Sequence, residues 1–341
     1  MIAEFFATLL GRRRRSPGPP PAQARPPSAQ PATPATAPPT LVEMLHSLVE
    51  DLGGPQLEIE RDAWLTLADR VTRLAAAMPP PPSFPRIATQ LLVLARDPDV
   101  DLNELVGLVQ RDAAIASTLV RMANSPAFAP AVPIATLRGA IHSLGIARVV
   151  ELAVGSAGRS YYDVASAIEL ALFPALWQGM FHDAMANGFS AGRLALDIPG
   201  SRGDSALFAG LLADVGRPIA LRILGGLVRD GLEAPSDAIV LAMLDEVAAA
   251  IGGQAVRAMQ LPDELRAACI PDPEHATPDA LIARLVASIG AIQRRSPRIW
   301  DNAGDVRRCA EQLKLGPYVI RSLFAQRAQH ALEAAQLFAA A

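Results

Sequence analysis

The sequence has little of what redox, metal and membrane sites usually require. Its 341 residues include two cysteines and five histidines. Cys269 and Cys309 are too few and too far apart to form a metal motif or a disulfide scaffold, which favours a reducing, cytoplasmic compartment. No segment approaches the roughly 20 uninterrupted apolar residues that a membrane-spanning helix needs, so we predict no transmembrane segment.

Aromatic residues and net charge are also scarce. Aromatics make up only 5% of the chain, although hydrophobic residues make up 51%. Alanine and leucine supply most of this apolar content, and both are strong helix formers, so we expect an all-α protein. The formal net charge of -3 gives no general attraction to polyanions, and we expect no nucleic-acid partner.

The N-terminal region differs in composition from the rest. Residues 16–40 are rich in proline and alanine and have little to bury, so we predict a disordered tail over residues 1–40. Residues 1–15 combine a short apolar run with Arg12 to Arg15 behind it, an order that does not fit a secretory signal. Weak peripheral contact with an anionic membrane is one interpretation of this segment, and a solvated tail or docking peptide is the other.

From residue 41 onward, apolar residues recur at helical spacing, and no segment shows the alternation typical of a strand. Asp101 and Asp112 stand where N-caps are expected. We predict helices at 41–53, 60–77, 86–96, 102–110, 113–124, 134–143, 146–157, 163–171, 174–196, 204–212, 218–230, 236–250, 253–260, 262–269, 277–294, 303–313 and 317–339.

Segment 78–150 carries an ordered series of markers. They are the Pro-rich opening MPPPPSFP, Asp97-Pro98, Asp112, Asn124-Ser125, Ala140-Ile141 and Leu144-Gly145. Each can also be explained by helix caps and turns. Together they resemble the N-terminal half of the HDOD domain, the HD-related output domain of bacterial signalling proteins. The resemblance implies a multi-helix bundle of two helical halves at 78–157 and 158–275, preceded by N-terminal helices at 41–77 and followed by C-terminal helices at 276–341.

Residues 207–216, LFAGLLADVG, resemble the metal-site helix of HD-type phosphohydrolases, where a His-Asp pair holds a divalent ion. Here the aspartate is Asp214, and Ala213 stands in the histidine position. The resemblance places two further lost ligands at Gly179 and Ala248. Because one carboxylate cannot hold a catalytic ion tightly, we expect no metal, no cofactor and no catalytic residue. Asp214 is expected to cap the next helix or to pair with a nearby arginine such as Arg217.

Two other groups of residues invite a functional interpretation. His182-Asp183 is an HD dipeptide in the middle of a predicted helix, where adjacent side chains point about 100° apart and cannot easily share a metal. We therefore expect His182 to be a surface or partly packed residue. For a basic cluster near the C-terminus, an acid-paired or solvated face is the main interpretation, and an anionic ligand site is the alternative: Arg294, Arg295, Arg298, Arg307 and Arg308.

The resemblance implies a non-catalytic regulatory module that acts by protein–protein contact. The implied partners are signalling proteins such as a response regulator, a kinase or a cyclic-di-GMP turnover enzyme. Two alternatives stay open, namely a metal-dependent HD phosphohydrolase and a nucleotide or cyclic-dinucleotide receptor without hydrolysis. We predict an interaction surface at Arg159, Tyr161 and Tyr162, because arginine and tyrosine are frequent interface anchors, although core packing would also explain the tyrosines.

Overall fold

In a computed structural model, the described part of the chain is residues 39–53, 61–79, 81–97, 99–125, 128, 130–163, 167–270 and 276–338. The predicted tail up to residue 38 lies outside these ranges, as do Pro98 and His275. Within them every regular element is a helix and no strand occurs, which confirms the predicted all-α class.

Seventeen helices occur in the described ranges. They are α1 Leu41–Asp51, α2 Arg61–Ala77, α3 Arg86–Leu94, α4 Leu102–Val109, α5 Ala113–Ala123, α6 Leu137–Leu144, α7 Ile146–Tyr162, α8 Ala167–Leu172, α9 Pro174–Trp177, α10 Met180–Ala195, α11 Gly203–Leu212, α12 Gly216–Arg229, α13 Asp237–Ala258, α14 Asp263–Cys269, α15 Pro278–Gln293, α16 Ile299–Gln312 and α17 Pro317–Phe338.

The helices bury two main apolar clusters. The larger runs from α2 to α14 and receives Leu337 and Phe338 from the end of α17. The smaller joins α1, α15, α16 and α17 to Ala191 and Leu194 of α10. Helix α7 packs against three helices that precede it in the sequence, α3, α5 and α6, and against two that follow it, α10 and α11. The C-terminal helices therefore share a core with α10, at the centre of the HD-like half.

Side-chain caps fix several helix starts as predicted. Asp101 accepts a hydrogen bond from the backbone N–H of Asn103, and Asp112 accepts from those of Ala114 and Ile115, both at 3.0 Å. Such caps satisfy backbone donors that the first helical turn leaves free. Gly145, with φ of 77°, ends α6 and lets the chain turn by 113° into α7.

Several predicted helix bounds differ from the observed ones, and glycines lie at two of the differences. The predicted helix 174–196 breaks before α10, because Gly179 adopts a left-handed φ of 91°. The predicted helices 236–250 and 253–260 form one continuous helix, α13. Here α13 crosses close to α12, because a Cβ on Gly216 would lie 2.0 Å from the carbonyl oxygen of Ala248 and one on Gly252 would lie 3.2 Å from the backbone nitrogen of Gly216. Gly252 therefore marks a packing contact instead of a helix end.

Helix α13 bears on the expectation that no segment spans a membrane. In the described part of the chain it is long and apolar enough to cross a bilayer, with a mean hydropathy of 1.6. More than half of that stretch, 56%, is buried inside the fold, where α13 packs against α2, α12 and α14. A buried core helix passes the same test of length and composition, so this feature alone does not indicate a membrane span.

Candidate functional site

Buried charges meet where α10, α13, α15 and α17 surround the turn between α11 and α12. Asp183 comes from α10, Asp214 from the turn and Asp245 from α13. Three arginines face them: Arg217 from α12, Arg294 at the end of α15 and Arg327 from α17. We call these six side chains the charged cluster. Its carboxylates and guanidinium groups are equal in number, so the formal charges cancel.

The guanidinium of Arg294 lies between two aspartates. Its Nη1 is 3.3 Å from Oδ2 of Asp183, and its Nη2 is 3.4 Å from Oδ2 of Asp214. The Nε of Arg294 is buried and has no hydrogen-bond partner. Arg294 therefore joins α10 to the α11–α12 turn through a pair of charge-assisted contacts.

Arg327 fixes the same aspartate from the other side. Only 2% of Arg327 is exposed, and its Nη2 is 3.2 Å from Oδ1 of Asp183. Its Nε donates to Oδ1 of Asn187 at 2.8 Å, and its Nη1 donates to Oε1 of Gln293 at 2.7 Å. The amide nitrogen of Asn187 donates in turn to Asp214 at 3.2 Å. Asn187 is fully buried, and it links Asp214 to Arg327, which in turn contacts Asp183.

Asp214 does not form the expected ion pair with Arg217. Arg217 pairs with Asp245, and the side chains of both are only 5% exposed. Arg217 reaches Asp214 only through its backbone N–H, which donates to the Asp214 carbonyl oxygen at 2.9 Å. Asp214 does not cap α12 either, because the N-cap position is Val215 and no side chain bonds there. The partner of Asp214 is Arg294, 80 residues further along the chain.

The opposite charges keep one another ionised. Burial by itself would raise the pKa of Asp183, but Arg327 and Arg294 lower it below its ordinary value. Burial likewise opposes ionisation of Asp245, yet Arg217 and Arg294 lower the pKa of that carboxyl group. For Arg294, burial would lower the pKa, and Asp214, Asp183 and Asp245 together raise it. The cluster is thus a set of ion pairs that desolvation alone would disfavour.

Two cavities border the charged cluster, with volumes of about 710 and 690 Å³. Asp214, Arg217 and Arg294 line both of them, so these side chains form the wall between the cavities. The larger cavity also contains Ala213 and Ala248, two of the predicted lost-ligand positions. Gly179, the third, lies in the turn before α10 and lines neither cavity.

The C-terminal arginines are mostly paired with acids, as the main interpretation of that cluster predicts. Arg298 contacts Glu246 at 2.8 Å and Asp301 at 3.0 Å. Arg308 pairs with Asp305, and the Nε of Arg307 is 3.9 Å from Glu311. Arg294 also pairs with acids, but it differs in location because it belongs to the interior charged cluster.

The cluster does not fit a resident metal ion. Within the described ranges, no three histidine, cysteine, aspartate or glutamate side chains are grouped so that they could hold one. The space between Asp183 and Asp214, where an ion would sit, is taken by the Arg294 guanidinium. His182 is partly packed, as expected, and burial together with Arg159 lowers its pKa. Its neighbour Asp183 instead contacts Arg294 and Arg327, so the two side chains of the HD dipeptide have different surroundings.

The predicted interaction surface needs correction at both tyrosines. Tyr161 and Tyr162 are only 6% and 3% exposed. The Tyr161 hydroxyl donates to the Pro82 carbonyl oxygen at 2.7 Å, and the Tyr162 hydroxyl donates to that of Leu211. Both rings therefore belong to the core, because their polar ends have partners inside the fold. Arg159 is half-buried and donates to the backbone carbonyl oxygen of Phe338 at 3.1 Å.

Asp183, Asn187 and Arg327 form one network that no sequence motif indicated. A signal was present in α10, where Asp183, Asn187 and Ser190 stand at positions i, i+4 and i+7 of a helix that is otherwise largely apolar. This spacing places polar side chains on one helix face. All three are engaged in the structure, Ser190 with Nδ1 of His330 at 2.9 Å.

A family model for the HDOD domain matches residues 82–270, more than half of the chain. The protein belongs to the HDOD domain family, which confirms the resemblance. The family match ends before α15, so Arg294 and Arg327 lie outside it. No curated protein matches the chain.

Solved structures show a related fold at low sequence identity. A candidate metal-dependent phosphohydrolase from Shewanella amazonensis is 15% identical, with a TM-score of 0.53 over 80% of this chain and 99% of that one. An HDOD domain protein of unknown function from Geobacter sulfurreducens is 20% identical, with a TM-score of 0.49 over 82% and 99%. A candidate signal transduction protein from Marinobacter aquaeolei is 21% identical, with a TM-score of 0.49 over 87% and 65%. At these identities the first comparison supports the fold and does not transfer a function.

Proposed function

We propose that the protein is a non-catalytic signal-transduction module that acts by contacts with other proteins and keeps an HD-type site as a structural remnant. The observation that carries the proposal is the position of the Arg294 guanidinium between Asp183 and Asp214. A guanidinium is permanently charged, and unlike a metal ion it does not lower the pKa of a bound water molecule enough to give hydroxide near neutral pH. It therefore neutralises the carboxylates without supplying the hydroxide that metal-dependent hydrolysis needs.

The proposed partners are signalling proteins, such as a response regulator, a kinase or a cyclic-di-GMP turnover enzyme. Family membership supports this choice, because HDOD domains are output domains of bacterial signalling systems. The proposed location is the cytoplasm, and the thiols of Cys269 and Cys309, which are both free, are consistent with it.

The rival hypothesis is a metal-dependent phosphohydrolase, the activity named for the Shewanella amazonensis structure. The test is metal analysis of the purified full chain, followed by assays with a chromogenic phosphomonoester and phosphodiester in manganese and magnesium. We expect no stoichiometric metal, and any background hydrolysis should be unchanged by Asp214→Asn. About one or two tightly held ions per chain, with hydrolysis lost in Asp214→Asn, would establish the enzyme instead.

The partner is tested separately by affinity capture with the full chain from its native cell. We expect a signalling protein to be retained in proportion to the amount of folded bait. A heat-unfolded bait serves as the control, since unfolded helices expose apolar surface that captures proteins without specificity. Recovery of the same proteins by both baits would contradict the proposed mode of action.

A second candidate function is a receptor for a small anionic ligand. The cavity of about 710 Å³ has the size of a small-molecule site, and Trp300, which is 44% exposed, lines it together with Arg257. Arg257 has no ion pair with any residue in the described ranges. Titration calorimetry with cyclic-di-GMP and with GTP tests this candidate, and binding that Arg257→Ala weakens would favour it over the first.

A further inference from the structure

The C-terminal helices contribute two arginines to a cleft that otherwise belongs to the HDOD domain. The family match covers residues 82–270, whereas Arg294 and Arg327 come from the segment 278–338. In that segment, α15 packs on both α10 and α11, and α17 packs on α10. Both arginines reach the same acceptor, Asp183. A segment outside the family domain thus occupies the centre of the HD-type cleft.

We propose that this cleft is a guanidinium-binding site filled in cis, with Arg294 as its resident cation between Asp183 and Asp214. The two carboxylates offer their oxygens to different nitrogens of one planar fork, at 3.3 and 3.4 Å. A guanidinium is suited to such a site because its donors have fixed directions and its charge is permanent. The inference is separate from the signalling role, since it concerns only what the cleft binds.

The surroundings of the cleft are shaped for this occupant. Gly290 leaves room for the second guanidinium, because a Cβ there would lie 2.4 Å from Nη2 of Arg327. Asn187 accepts from Arg327 and donates to Asp214, so it holds the second carboxylate in line with the first. Arg294 also forms part of the wall between the two cavities, together with Asp214 and Arg217.

Removal of the occupant should leave Asp214 without an ion pair and Asp183 with Arg327 alone, in a partly buried site. We expect Arg294→Ala, made in the full chain, to lower the thermal midpoint by about 5 °C or more. Arg307→Ala is the matched control, because its exposed pair with Glu311 contributes little, and its midpoint should be nearly unchanged. Adding Asp214→Asn to Arg294→Ala should restore part of the lost midpoint, since it removes one of the stranded charges.

Free methylguanidinium is the probe for the binding site itself. At concentrations that leave the wild-type midpoint unchanged, it should raise the midpoint of Arg294→Ala by filling the vacated position, because a ligand that binds only the folded state stabilises it. Tetramethylammonium has the same charge but no N–H donors, and it should have no effect. The double variant with Asp214→Asn should respond less than the single variant.

Three results would overturn the proposal. The first is a thermal midpoint for Arg294→Ala within error of that for Arg307→Ala. The second is an equal effect of methylguanidinium and tetramethylammonium on the midpoint of Arg294→Ala. The third is a midpoint for the double variant that is lowered by the sum of the losses in the two single variants. If Arg294→Ala fails to fold, the double variant decides. A folded double variant supports charge compensation, and an unfolded one contradicts it.

Discussion

Gly290 gives the sharpest test of how the charged cluster is packed. It lies within α15, and a Cβ built on it would be 2.4 Å from Nη2 and 2.6 Å from Cζ of Arg327. Contacts this short require movement, but Arg327 is only 2% exposed and is bonded to Asp183, Asn187 and Gln293. We therefore expect Gly290→Ala to displace the guanidinium from at least one of these partners.

The expected change in unfolding free energy follows from three contributions. Alanine favours a helix over glycine by about 1 kcal/mol, which would stabilise the variant. Overpacking a filled interior costs about 1–3 kcal/mol. Loss of one hydrogen bond to a charged group costs about 1.5–3 kcal/mol. The costs exceed the gain, and Gly290→Ala should be destabilised by about 1.5–5 kcal/mol.

Gly304→Ala provides the control, because Gly304 also lies inside a helix, α16, and its nearest atom to a built Cβ is 3.9 Å away, on Arg308. This variant should gain up to about 1 kcal/mol of stability from the higher helix propensity of alanine, because its Cβ does not clash with a neighbouring side chain. Urea denaturation followed by circular dichroism measures both. Equal stability of the two variants would refute the packing argument, and it would mean that Arg327 can move at no cost.

Two further predictions concern the stability of the fold in acid and the effect of deleting the N-terminal region. Because the fold lowers the pKa of Asp183 and Asp245 below 3.8, their contribution to stability is present above that pH and is lost as the pH falls further. Asp183→Asn should therefore flatten the acid limb of urea midpoints measured from pH 6 to about pH 2, and an unchanged limb would contradict the ion-pair assignment. Deletion of residues 1–38 should leave the thermal midpoint nearly unchanged, whereas deletion of 1–40 also removes Thr40, whose capping box with Glu43 starts α1, at a cost of about 1 kcal/mol. Equal midpoints for the two deletions would show that this cap contributes nothing.

The helices could largely be predicted from the sequence because their signals are local. Apolar spacing and the caps at Asp101 and Asp112 depend on residues within a few positions of each other. The errors arose at glycines, where sequence alone does not distinguish a break from a close contact. Gly179 breaks a helix by its left-handed backbone, whereas Gly252 allows a helix to approach its neighbour. Only the tertiary arrangement tells these two uses apart.

The candidate site was predictable in position but not in chemistry. Asp214, the aspartate that the resemblance singled out, is a member of the charged cluster. The nearest arginine in sequence, Arg217, was the natural partner to expect, yet Arg294 is the one that neutralises Asp214. A local pattern cannot supply that pairing, because the choice depends on how α15 is placed over α10 and α11 by apolar contacts. Once Asp245 holds Arg217 in a buried pair, Asp214 needs a cation from elsewhere, since an unpaired buried carboxylate is costly. Arg294, from the C-terminal helices, supplies that cation.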